Sequence, residues 1–144
     1  MLVTLDTNIV YQALMSTSGA SHFIVQQVRK NKIQIALSVP VFYEYEEVLT
    51  RETSLKDFHL PLQDIEKFLR FIAYIGRPFD IYFLLRPNLQ DEKDNKMVEL
   101  AVTSQSDFLI TSNIRDFQRA ELKFDQLHII TPSEFVKMWR EHYA

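Results

Sequence analysis

MLVTLDTNIVYQALM, residues 1–15, is the stretch from which the fold can first be read. Leu2-Val3-Thr4-Leu5 is a short apolar run of strand-forming residues, and it stops abruptly at Asp6-Thr7-Asn8. A short helix of about Ile9 to Met15 follows. A buried strand that ends in a polar turn and feeds a helix is the beginning of a βαβ unit, and βαβ units build parallel sheets.

The same alternation continues outward. A Ser/Thr/Gly turn at Ser16 to Gly19 leads to Ser21, a candidate cap for a helix reaching about Lys30, with Phe23, Ile24, Gln27 and Val28 at helical spacing. Ile33 to Ser38 reads as a second strand, and Pro40 suits the first turn of a third helix through Phe42, Tyr45, Val48 and Leu49. A polar stretch, Arg51 to Phe58, leads to Leu60-Pro61 and a fourth helix of about Leu62 to Tyr74, ended by Gly76-Arg77-Pro78. Phe79 to Leu84 reads as a weaker third strand. Leu89 to Asn95 is a charged loop opening a helix of about Asp94 to Gln105, with Met97, Leu100, Ala101 and Val102 inward. Phe108 to Thr111 is a fourth strand, followed by a short turn around Asn113 to Arg119. His128 to Thr131 is a fifth strand, and Pro132-Ser133 starts a last helix to about Glu141. No internal repeat or linker breaks the pattern. The expectation is one α/β domain over residues 1–144, a doubly wound parallel sheet of about five strands with helices on both faces.

Composition agrees. The chain has 144 residues, 47% hydrophobic and 24% charged, enough to bury a real core. A net charge of −3 is not the basic excess of a protein that holds nucleic acid by charge alone. Bound cations can supply that positive charge locally. The absence of cysteine excludes disulfides, thiolate zinc sites and thiol catalysis, and fits a reducing cytosol. No basic stretch followed by an apolar run opens the sequence, and no apolar segment approaches the roughly 20 residues of a membrane helix. A cytoplasmic protein with no membrane association is expected.

Open parallel sheets bind ligands beyond the carboxyl ends of their strands, where strand order reverses. Asp6 ends the first strand, and Asp116 lies in the turn after Thr111-Ser112-Asn113. Glu44 is in the first turns of the helix after the second strand, and Asp94 opens the helix that feeds the fourth. If the first strand is central, all four acids converge on one rim. Converging carboxylates repel, and some would take up protons unless hard divalent cations compensate them. One or two such ions, about 3.5–4 Å apart in two-metal sites, activate a water and neutralise the leaving oxygen of a phosphodiester. This chemistry needs no side-chain nucleophile, and no Ser-His-Asp order is present. Taken singly, each acid also fits a plain role: Asp6, Asp94 and Asp116 as caps or turn residues, Glu44 as one charge beside Glu46 and Glu47 on a wet helix face.

The local sequence around the acids resembles the PIN-domain family. Leu-Asp-Thr-Asn at 5–8 is similar to its opening, and SVPVFYEYEEVL at 38–49 to its second motif, whose glutamate is here Glu44. DEKDNKMVELA at 91–101 resembles the third, in which an Asp precedes a helix carrying an alanine seven residues later, mapping the third acid onto Asp94. DFLITSNIRDF at 107–117 is similar to the fourth, and TPSEF at 131–135 to the lead into the last helix. Each motif is weak alone; four in order cover nearly the whole chain. The nearest flavour is the toxin–antitoxin branch, relatives of the VapC toxins.

That resemblance implies a three-layer α/β/α fold and a Mg²⁺- or Mn²⁺-dependent ribonuclease, often a homodimer and often neutralised by a cognate antitoxin. Asp6, Glu44, Asp94 and Asp116 would be its catalytic acids. Asp6, Asp94 and Asp116 would ligate metal, and Glu44 would ligate or position the attacking water. Asn8, Thr111 and Asn113 would support the site. Many relatives have an aspartate where this chain has Asn113, which puts a second metal site in question, and Glu92 stands where proline is common.

Other readings remain open at this stage. A structure-specific DNA nuclease would share the acids, but the chain has no room for the extra helical clamp. A catalytically weakened PIN domain would bind RNA or a partner without cutting, with Asn113 as the first sign of decay. A response-regulator-like receiver would want an acid pair near the first strand and a lysine after the last, and neither is present. Arg51, Lys56, Arg115, Arg119 and Lys123 flank the expected rim and can steer RNA phosphates, though scattered solubilising charge accounts for them equally well. His22, His59, His128 and His142 show no metal-ligand spacing. Phe58, Phe68, Phe71 and Tyr74 fit a core or dimer surface better than a base-stacking platform.

Overall fold

Leu2–Leu5 forms the first strand, β1, buried along its whole length. That is why it reads as a continuous apolar run rather than an alternation: helices cover both of its faces. The computed structural model describes residues 1–81 and 92–143. After β1 come α1 (Thr7–Met15), α2 (Ala20–Arg29), β2 (Gln34–Leu37), α3 (Val39–Leu49), α4 (Glu52–Phe58), α5 (Leu62–Ile75) and β3 (Arg77–Pro78). Then follow α6 (Glu92–Ser104), β4 (Phe108–Ile110), α7 (Ile114–Lys123), β5 (Ile129–Ile130) and α8 (Pro132–Tyr143).

The strands pair in the order β3-β2-β1-β4-β5, all parallel, with β1 in the centre. The chain builds β1 to β3 outward in one direction, then returns to lay β4 and β5 on the other side of β1. The order therefore reverses between β1 and β4, where such sheets leave a crevice at their carboxyl rim. Packing of α2 with α1 and α8, and of α3 with α5 and α6, encloses the sheet in a three-layer α/β/α arrangement. Val3, Leu5, Ile35, Leu109 and Ile110 form the sheet's share of a continuous apolar core. Among the described residues no helix is long and apolar enough to cross a membrane.

Several sequence expectations need correction. The third strand is Arg77–Pro78, paired with Ala36 and Leu37, rather than Phe79 to Leu84. Phe79 adds only a hydrogen bond from its N–H to the Leu37 carbonyl at 2.8 Å. Pro78 masked this strand in the sequence, yet an edge strand tolerates a residue without an N–H. Residues 82–84 of the expected strand, and 89–91 of the expected charged loop, lie outside the described residues. The polar stretch Arg51 to Phe58 contains a helix, since Ser54 and Phe58, one turn apart, are both buried. The expected turn at Asn113 to Arg119 is the start of a ten-residue helix, held by the fully buried Phe117 and Ala120 at i, i+3 spacing. Ser21 does not cap α2; Gly19 occupies that position, and the Ser21 hydroxyl instead donates to Gln12 Oε1 at 2.9 Å. Glu92 is already helical, two residues before the expected start. Phe58 and Phe68 are core, while Tyr74 is exposed.

Gly76 shows how tightly α5 abuts the sheet. A Cβ there would stand 2.9 Å from the Ile72 carbonyl oxygen and 3.0 Å from Leu37 Cδ2. Its φ of −65° is open to any residue, so space alone selects glycine. Gly76→Ala is expected to destabilise by about 1–3 kcal/mol through overpacking, read as a lowered urea midpoint.

Candidate metal centre

Asp6 stands where β1 becomes α1. It is the N-cap of α1, in extended conformation, and its Oδ1 accepts from the Thr7 N–H at 2.8 Å. Its backbone N–H donates to the Ile110 carbonyl at 3.0 Å, locking it to the end of β4 across the sheet's reversal point. Oδ2 accepts from the Thr111 hydroxyl at 2.7 Å. Thr111, fully buried, in turn accepts from the Asn113 N–H at 3.0 Å. One hydroxyl thus aims the carboxylate and braces the turn leading to α7. The Tyr45 hydroxyl donates to the Leu5 carbonyl at 2.5 Å, fixing the residue before Asp6 from beneath. Burial, helped by the Asp6 charge, holds the Tyr45 phenol far above its ordinary pKa, so it stays a neutral donor.

An open cleft of about 290 Å³ lies at this rim, lined by Asp6, Thr7, Asn8, Tyr11, Glu44, Val48, Arg51, Asp94, Asn113 and Asp116. All four acids singled out in the sequence therefore border one space, each from a different element: β1's end, α3, α6 and α7. Glu44 is buried rather than on a wet helix face. Asp94 sits in the first turn of α6 and Asp116 in the first turn of α7. Asn8 accepts from the Ser112 N–H at 3.4 Å, so it braces the turn after β4. Asn113 precedes α7 without capping it through its side chain. Among the described residues no histidine lines the cleft.

The electrostatics follow from this crowding. Burial raises the Asp6 pKa above its ordinary value; hydrogen bonds from Thr111 and Thr7 oppose the rise, and the charges of Glu44 and Asp116 add to it. A divalent cation would reverse that balance. The donor set is all oxygen, which suits Mg²⁺ or Mn²⁺. Among the described residues the Thr7 hydroxyl, buried beside Asp6, has no hydrogen-bond partner, a further polar atom available at the site. Among the described residues, no three His, Cys, Asp or Glu side chains are already arranged as a cage for an ion. Donors spread around an open cleft suit a metal that keeps several of its waters.

Thr7, Tyr11 and Arg51 escaped the sequence reading as cleft residues, or, for Arg51, stayed undecided among five basic residues. A signal existed for Tyr11, because positions i+3 and i+4 from Asn8 and Thr7 share their helix face. Tyr11 donates its hydroxyl to Asp57 and packs edge-on against Phe58 at 4.7 Å between ring centroids. It thereby ties α1 to α4 along one wall.

Thr111→Val is expected to lower Mn²⁺ affinity by about 10–100-fold, as loss of a ligand-orienting partner does. Stability should fall by about 1–3 kcal/mol, since the Asn113 N–H loses its acceptor. Calorimetric Mn²⁺ titration and thermal melting read the two effects separately.

A PIN-domain family profile matches residues 2–115. A search of the curated proteins finds no significant match. Among solved structures, a chain of VapBC2 from Rickettsia felis, bound to a DNA fragment from their promoter, superimposes with a TM-score of 0.61. The match covers 91% of this chain and 98% of that chain at 19% identity, a likeness of fold.

Proposed function

The chain belongs to the PIN-domain family, whose members are generally metal-dependent nucleases, and from that premise we propose that it is a Mg²⁺- or Mn²⁺-dependent endoribonuclease acting as the toxin of a toxin–antitoxin pair. The observation that carries the reading is the cleft itself: four carboxylates from four elements face one space at the sheet's reversal point. Asp6, Asp94 and Asp116 would hold the metal, and Glu44 would join them or position the attacking water. The bound ion supplies Lewis acidity and a water of lowered pKa. Thr111 and the Thr7 N–H keep the Asp6 carboxylate aimed, while Asn8 and the Asn113 N–H hold the turn that delivers Asp116. The structural neighbour is from a VapBC assembly, which favours a cognate antitoxin as partner; a homodimer is the oligomer expected with it.

The test uses protein stripped with EDTA. Mn²⁺ is titrated by calorimetry, and labelled single-stranded RNA and DNA of the same sequence are offered with and without metal. Metal binding together with Mn²⁺-dependent cleavage of RNA in preference to DNA is expected. Asn113, uncharged where many relatives carry an aspartate, favours one other reading, a weakened PIN domain that binds RNA or a partner. RNA binding without cleavage at saturating Mn²⁺ would decide for it.

A further inference from the structure

The cleft poses an electrostatic problem for a polyanionic strand, because its four acids repel phosphate. Of the five basic residues near the rim, the structure separates one from the rest. Arg51 lines the cleft, and among the described residues it is the only cationic side chain that does. Arg115 faces a neighbouring groove, Lys56 and Arg119 are exposed and do not line the cleft, and the Lys123 side chain lies outside the described residues.

Arg51 is also held in an unusual state of readiness. Its Nη2 donates to both Glu47 carboxylate oxygens, at 2.9 and 2.7 Å, and its Nε donates to Oε1 at 3.0 Å. The guanidinium is thus already extended around two neighbouring anionic oxygens, as the non-bridging oxygens of a phosphodiester also provide. Both side chains are well exposed, at 46% for Arg51 and 58% for Glu47. Exposure to water screens the pair, so a phosphate can compete with the carboxylate for the same donors. Tyr11, hydrogen-bonded to Asp57 and packed on Phe58 of α4, lines the same cleft and offers an aromatic ring beside it.

We propose that Arg51 grips a phosphate of the RNA strand lying in the cleft, exchanging Glu47 for it, and so positions the strand against the acids. This rests on the reading of the cleft as an RNA site. Arg51 is a positioning residue, remote from proton transfer, and Glu47 is its competitor as well as its guide.

The competition gives the test opposite signs for two substitutions. A fluorescein-labelled single-stranded RNA oligonucleotide is titrated with wild type, Arg51→Met, Arg51→Lys and Glu47→Gln, and binding is followed by anisotropy across a salt series. Arg51→Met should weaken binding about tenfold, the lower range for a hydrogen bond to a charged group. Its plot of log affinity against log salt should flatten by about 0.7, one phosphate contact on a single strand. Arg51→Lys should recover part of the affinity. Glu47→Gln should tighten binding about two- to threefold by removing the competitor. If the ion pair is only structural, Arg51→Met and Glu47→Gln weaken binding alike, and the proposal is overturned. It is equally overturned if Arg51→Met binds as wild type does, or if wild type binds no RNA. Melting curves of each variant confirm that the fold is intact. Cleavage is scored separately: RNA bound through Arg51 but never cut would sink the nuclease reading and leave this one standing.

Discussion

Asp6→Asn is expected to yield a folded protein that no longer cleaves RNA. The fold survives because asparagine caps a helix as well as aspartate does, and its carbonyl oxygen can still accept from the Thr7 N–H. Thr111, which donates to Asp6 now, can turn its hydroxyl to accept from the new amide. The charge is what disappears. Loss of cleavage should exceed about a hundredfold, the upper end seen when only an orienting partner is removed.

Stability moves the other way in metal-free protein, and its pH dependence has a definite sign. The folded pKa of Asp6 lies above the unfolded value, so the folded state binds this proton more readily than the unfolded state does. This contribution favours folding when the carboxyl is protonated and is lost as pH rises through the folded pKa. With EDTA present at neutral pH, Asp6→Asn should therefore melt higher than wild type. The gap should close as pH falls through the raised folded pKa toward the ordinary aspartate value. Mn²⁺ should invert the ranking by stabilising wild type alone, by about 2.7 kcal/mol at one hundred times its Kd. Undiminished cleavage by Asp6→Asn, or an equal Mn²⁺ shift in both proteins, would remove Asp6 from the role given to it.

Phe117→Ala is expected to destabilise the protein by about 3–5 kcal/mol. The ring is fully buried, and with Ala120 it anchors α7, a helix whose first turn carries Asp116. Against a typical total of about 5–15 kcal/mol the variant stays mostly folded at 25 °C. The activity should nevertheless fall further than the unfolded fraction explains, because a loosened α7 no longer delivers Asp116 to the cleft. Urea denaturation gives the first quantity as a lowered midpoint with unchanged slope. The rate of RNA cleavage with Mn²⁺ under folding conditions gives the second. Phe117→Leu, which refills most of the volume, should recover both to within about 1.5 kcal/mol of wild type. A Phe117→Ala protein as stable as wild type would show that α7 is held by other means.

Sequence alone determined the alternation of strands and helices and, through it, the parallel sheet. Leu2–Leu5 followed by Asp6-Thr7-Asn8 reports its own structure, because an apolar run cut short by a capping residue has few alternatives. Asp6, Asp94 and Asp116 were legible for the same local reason, each standing beside a helix start or strand end where polar side chains reach a rim; Glu44, in the middle of α3, was picked out by the resemblance of its motif. The true third strand was hidden by Pro78, and α4 and α7 by their polar composition; all three are stabilised by distant contacts that no short window contains.

Only the tertiary structure decided which of the polar residues share a space. Residues more than a hundred positions apart, such as Asp6 and Thr111, meet because β4 returns to the side of β1 opposite β2. Tertiary packing likewise made Glu44 buried rather than wet, and placed Arg51 alone of the five basic residues, as far as their side chains are described, in the cleft lining. Periodicity records which face of an element is apolar; it carries no information on which element lies across from it. That partner is chosen by strand order, and strand order here is the outcome of the whole core packing at once.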